Sequence, residues 1–123
     1  MKKKIKWIKY LLLFLCSFSF ASEKVVNESW CIQMNGDDQF RTKDGTYVDC
    51  VTSDYAIEAE FDYNWKEAIG QALHYAESTN KKAAILFIKR KETKKDYLSE
   101  LNRVLIKFDL PIKVFITDDI EEE

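Results

Sequence analysis

The 123-residue chain holds one proline, one histidine and three glycines. Glycine this scarce leaves no Gly-rich loop to cradle a phosphate at a helix N-terminus. His74 stands alone, so there is no histidine cluster for a metal, and no serine or cysteine nucleophile has a base near it. Cys31 and Cys50 with the distant His74 do not make a cysteine-ligated zinc site. Repeats, low-complexity linkers and any sign of a second domain are also missing. The N-terminal apolar run, 10–20, is short of the about 20 residues that a helical membrane span needs.

What the N-terminus does hold is a pattern. Lys2, Lys3, Lys4 and Lys6 precede that apolar run, and Ser19-Phe20-Ala21 closes it with small residues at both ends. This reads as a signal peptide over 1–21 and a single domain over 22–123. The alternative is an uncleaved anchor. A lipoprotein signal fits poorly, because Leu15 rather than a small residue precedes Cys16. An exported chain, periplasmic or secreted, follows. Cleavage removes five of the 19 basic residues and no acids, leaving 14 against 21, a formal charge of −7. That balance argues against a general polyanion binder, since phosphate contacts need Lys and Arg. In an oxidising compartment Cys31 and Cys50 are expected to pair; two buried free thiols are the alternative.

Periodicity orders the rest. Val26, Trp30 and Met34 give a helix over 23–34 that stops at Asn35-Gly36. Short strand character appears at 39–43. Strands follow at 45–51 and 55–61, with Ser53-Asp54 as their turn. Asn64 is the expected N-cap of a helix over 65–77, with Trp65, Ala68, Ile69, Ala72, Leu73 and Ala76 as its apolar stripe. Gly70, next to Ala68 and Ala72, is expected to let helix and sheet approach closely. The unbroken apolar run 83–88 reads as a strand buried on both faces. A basic loop over 89–95 leads to a helix with Tyr97, Leu98, Leu101, Val104, Leu105 and Phe108 inward. A last strand spans 112–117, before an acidic tail. The expected fold is α/β: a three-layer sandwich on a four-stranded mixed sheet, in the order α-β-β-β-α-β-α-β.

The hairpin concentrates the chemistry. A symmetric turn puts Thr52 opposite Tyr55, Asp49 opposite Glu58 and Tyr47 opposite Glu60. Alternation sends Val48, Cys50, Ile57 and Ala59 to a core and gathers Asp49, Glu58 and Glu60 on the other face. Like charges opposed on a sheet cost up to about 1 kcal/mol per pair. A divalent cation on oxygen ligands, Mg²⁺ or Mn²⁺, would offset that cost. A solvated acidic face is the plainer alternative.

Asp49 on one strand, Glu58-Ala59-Glu60 on the next, and Gln71 with Tyr75 on the following helix resemble the PD-(D/E)xK, restriction-endonuclease-like nucleases in their RecB-like form. The stretch 48–76, with Glu67-Ala68-Ile69-Gly70-Gln71, also looks like small exported bacterial proteins of uncharacterised function. The resemblance implies metal ligation by Asp49 and Glu58, and phosphodiester hydrolysis through a metal-activated water. It departs at one position, where Glu60 stands in place of the motif lysine. Glu60 would then be a third ligand or orient water, Lys66 would supply the missing cation, and Gln71 and Tyr75 would orient the site. Nucleic acid is the implied partner. The alternative is a catalytically inactive module binding an envelope protein. Each residue also has a structural reading: Gln71 as a hydrogen bond to the sheet, Tyr75 and Trp65 as packing, and the basic loop as a solvated surface.

Overall fold

The computed structural model describes residues 22–120. The expected signal peptide over 1–21 and the last three glutamates lie outside the described residues. Three helices and a four-stranded sheet make an α/β fold: α1 (Glu23–Gln33), β1 (Cys50–Val51), β2 (Tyr55–Phe61), α2 (Trp65–Thr79), β3 (Lys82–Lys89), α3 (Tyr97–Lys107) and β4 (Ile112–Asp118). A short 3-10 turn, Asp62–Asn64, joins β2 to α2. The sheet order is β1-β2-β3-β4; β1 runs antiparallel to β2, and the other three strands are parallel.

Local chemistry sets the helix ends. Ser22 caps α1 by accepting the Val25 N–H at 3.3 Å. Asn35, at φ 57°, turns the chain out of α1, in the left-handed conformation that asparagine tolerates. Asn80 does the same after α2 at φ 54°. Asp96 caps α3 through the Ser99 N–H at 3.1 Å. Asn64 departs from expectation. Its side chain makes no cap hydrogen bond and donates instead to Glu60 at 3.3 Å, because the 3-10 turn already winds the chain into the helix.

The two sheet faces are covered differently. Val26 and Cys31 of α1 pack with Cys50, Ile57, Ala59, Ala84, Leu86 and Ile88. On the other face Trp65, Ala68 and Ala72 of α2 and Leu101 and Leu105 of α3 pack on Ala83, Ile85 and Phe87. All six residues 83–88 are buried, because β3 has helices over both faces and a parallel neighbour on each side. Cys31 and Cys50 form a disulfide that fastens α1 to β1. Gly36 lies against it: a Cβ there would come within 2.6 and 2.7 Å of the two sulfurs.

Two expected elements and several expected residue placements change. The strand over 45–51 shrinks to Cys50–Val51, and 39–43 forms no strand, so the order is α-β-β-α-β-α-β. Segment 37–49 is a loop closed on itself. Single bridges join Asp37 to Val51 and Arg41 to Tyr47, Val48 N–H donates to Phe40 O, and Asp44 binds the Thr42 hydroxyl and the Thr46 N–H. Tyr47 therefore never faces Glu60. Val48 leaves the α1 side and packs with Val51, Ala56 and Tyr75. Gly70 meets nothing within 4 Å of where a Cβ would stand, so it permits no close approach. Phe108 does not point inward. It follows the last residue of α3 and is 65% exposed.

Candidate functional site

The hairpin register holds where it bears on the acids. Cys50 pairs with Ile57 and Val51 with Ala56, which continues to Asp49 opposite Glu58. The next hydrogen-bonded rung of the ladder would join Val48 to Ala59. Val48 has turned away, and the Asp49 side chain takes its place: Oδ2 accepts the Ala59 N–H at 2.9 Å. A carboxylate thus satisfies the strand edge that the short β1 leaves bare.

Four acids converge there. Glu58 is buried, 3% exposed, and hydrogen-bonds to Asp49, with Tyr75 of α2 against it. Glu60 is hydrogen-bonded by Glu23 of α1. Burial pushes the Glu58 carboxyl up to about 10; its hydrogen bond to Asp49 and the charges of Asp49 and Glu60 add to the rise. Burial and the contact with Glu60 push Glu23 up to about 8. The Tyr75 hydroxyl is pushed up by burial and by the Glu58 charge. The acids therefore stand as two facing pairs, Asp49 with Glu58 and Glu23 with Glu60, and Glu58 and Glu23 are the members held protonated. Asn27 of α1, also buried, donates to the Asp49 carbonyl at 2.8 Å. Its Oδ1 and Glu58 Oε2 are buried without a hydrogen-bond partner. Among the described residues, no group of three or more His, Cys, Asp or Glu is arranged so that it could hold a metal ion.

The helix residues expected beside these acids divide. Tyr75 joins them. Gln71 is exposed; its Oε1 accepts the Tyr75 hydroxyl at 3.3 Å and it reaches no further. Lys66 does not reach back. Its ammonium lies over the Trp65 ring at 5.7 Å, in the cleft between α2 and α3. The first turn of α2 points it along the helix layer, away from the strand edge where the acids meet. Glu23 and Asn27 were not expected. The spacing 23, 27, 31 puts both on the helix face of Cys31, so the disulfide that anchors Cys31 brings them over the hairpin. That spacing was the available signal.

A second cluster lies at the carboxyl ends of the parallel strands. Asp62, 1% exposed, accepts the N–H groups of Tyr63 (2.8 Å) and Arg90 (3.3 Å) and the Thr93 hydroxyl (3.2 Å). This fixes the loop 90–96 to the end of β2. Arg90 stacks over Phe61 and Tyr63, 5.1 and 5.9 Å from their ring centres, with Nε 3.7 Å from Asp119. The loop thereby holds Lys89, Lys94 and Lys95 around a cleft of about 260 Å³. Lys95 pairs with Glu100 at 3.0 Å, and Glu100 accepts the Trp65 indole N–H at 3.2 Å.

No family model and no solved structure matches the chain. Two KilA-N domain-containing proteins of Acanthamoeba polyphaga mimivirus are similar to it. One is 29% identical over 93 residues, covering 76% of this chain and 25% of that protein. The other is 31% identical over 110 residues, covering 89% of this chain and 44% of that protein. The chain thus spans less than half the length of these relatives. They bear the name of a family different from the PD-(D/E)xK nucleases, and this overturns the membership that the Asp49, Glu58 and Gln71–Tyr75 pattern implied. The exported nuclease falls with it, and its inactive counterpart in the cell envelope loses its support. Among the described residues, no helix is long and apolar enough to cross a membrane.

Proposed function

We propose that the chain is a nucleic-acid-binding domain that meets phosphates at the carboxyl edge of its parallel sheet. KilA-N domains bind DNA, and the relatives' name supports a partner of that kind. The observation that carries the reading is the cleft ringed by Lys89, Lys94 and Lys95, at the strand ends where α/β sheets characteristically take ligands. Its loop is held by Asp62, so the cations are placed before a ligand arrives. The chain's net negative charge does not oppose this, because the acids are held by other groups of the fold. Asp49, Glu58, Glu60 and Glu23 meet one another where the short β1 leaves β2. Asp62, Asp96 and Glu100 near the cleft are each engaged by protein donors.

Charge reversal at exposed Lys89 and Lys94 tests the reading. The double variant Lys89→Glu/Lys94→Glu should weaken binding to a labelled oligonucleotide at least about tenfold. It should also flatten the dependence of log affinity on log salt by roughly 1.4–1.8, the share of two phosphate contacts. No binding by the unaltered chain, or equal binding by the variant, would refute it.

A second reading keeps the cation expected at Asp49, Glu58 and Glu60. It is favoured by Glu58 Oε2, a buried oxygen without a partner. Mg²⁺ or Mn²⁺ would displace the proton that burial keeps on Glu58. Calorimetric titration decides: sub-millimolar binding that Glu58→Gln removes supports it, and no binding at millimolar metal ends it.

A further inference from the structure

We infer that the nucleic acid taken by this domain is single-stranded, with one unstacked base seated on Phe108 in the cleft between α2 and α3. The inference rests on the nucleic-acid reading above and names its substrate class.

The cleft has a volume of about 510 Å³, within the roughly 300–1,000 Å³ of ordinary ligand sites. Its floor is the Trp65 side. Its rim carries Lys66, Arg103 and Lys107, with Phe108 at one end. Glu100 is the one acid lining it, and Lys95 and the Trp65 indole already engage that acid. Three cations and an open aromatic ring thus face one space with their acid neutralised. The Lys95–Glu100 pair lies between this cleft and the basic one at the strand ends, Glu100 lining the one and Lys95 the other.

Phe108 decides between single and double strands. The Phe108 side chain is 65% exposed and lines the same cleft as the three cations. Stacking on it needs a free base face, which a duplex does not offer and a single strand does. Phosphates on Lys66, Arg103 and Lys107 would flank that base, the arrangement by which single-strand binders combine a basic groove with an aromatic platform. A helix reading the major groove would need cations along one exposed face. On α3, Arg103 and Lys107 do share one exposed face, but the apolar Ile106, 80% exposed, and the Phe108 ring lie beside them, and α1 and α2 expose Lys24, Lys66, Glu67 and Glu77 in mixture.

The test is fluorescence anisotropy with the full chain and three probes of equal length: oligo-dT, an abasic strand and a duplex. Stacking one base is worth about 1–3 kcal/mol, so oligo-dT should bind roughly tenfold tighter than the abasic strand. Phe108→Ala should erase that difference and leave abasic binding unchanged, and Phe108→Trp should restore it. The ring is outside both cores, so circular dichroism of the variants should match that of the parent. Equal affinity for oligo-dT and the abasic strand overturns the inference, as does a silent Phe108→Ala or a preference for duplex. If Lys89→Glu/Lys94→Glu still weakens binding in those cases, the nucleic-acid reading stands without it. If no probe binds at all, both fall.

Discussion

With divalent metal chelated, the free energy of unfolding should fall as pH rises from about 5 to about 8, against the usual behaviour of a carboxylate-rich protein. The cause is Glu58. Its carboxyl sits at about 10 in the fold and near 4.5 as an ordinary glutamate. Between those values the folded chain holds a proton that the unfolded chain has released. Unfolding then sheds a proton, and stability is lost with rising pH at up to about 1.4 kcal/mol per unit. Glu23, at about 8, acts in the same direction over the lower part of that window. The stabilisation is complete below the unfolded value and disappears as pH passes the folded one. Glu58→Gln keeps a neutral group facing Asp49 and removes the titration. It should make the profile shallower, leaving the part due to Glu23, and raise stability at pH 8 by up to about 5 kcal/mol. Urea unfolding at several pH values, with and without the substitution, measures both effects. A profile that is flat from pH 5 to 8, or a Glu58→Gln variant less stable than its parent at pH 8, would show that the carboxyl is not held protonated.

The second large effect belongs to the disulfide. Cys31 and Cys50 are 19 residues apart in sequence, and closing a loop of that size stabilises by about 3 kcal/mol in the chain-entropy account. A domain of about 100 residues has some 5–15 kcal/mol in all. Cys31→Ala/Cys50→Ala should therefore lose a large part of its stability, and the parent should lose as much in strong reductant. The bond also holds α1 over the hairpin, so Glu23 and Asn27 depend on it for their places beside Glu60 and Asp49. Hydrogen exchange in α1 should accelerate more than in β3, and the pH dependence assigned to Glu23 should fade. A loss under about 1 kcal/mol, or an α1 as protected as before, would mean that packing at Val26 alone seats the helix.

The two effects are linked through one piece of architecture. Because β1 is only two residues long, the edge of β2 beyond it is open. Side chains fill that gap in place of backbone. Asp49 takes the ladder position at Ala59, and the α1 residues close over it. Burying carboxyl groups there costs free energy unless they are neutral or paired, and burial holds Glu58 and Glu23 in the neutral form.

The sequence by itself determined the parts that rest on local periodicity. The helices α1, α2 and α3, the apolar run of β3 and the turn-centred register of Asp49 with Glu58 depend on neighbours in the chain, and the structure places them where those patterns put them, although Met34, Leu73 and Phe108 of the expected apolar stripes are exposed. The pairing of Cys31 with Cys50 followed from there being two candidate thiols. Tertiary structure alone decided the rest. Asp44 tied off the loop 42–46 and Phe40 took the Val48 N–H, so the predicted strand over 45–51 ended early. Packing against Trp65 took Lys66 away from the acids, the outward face of α2 claimed Gln71, and the end of α3 turned Phe108 to solvent. In each case the outcome turned on which distant surface offered a hydrogen bond or an apolar wall, and a residue's type and spacing do not record that.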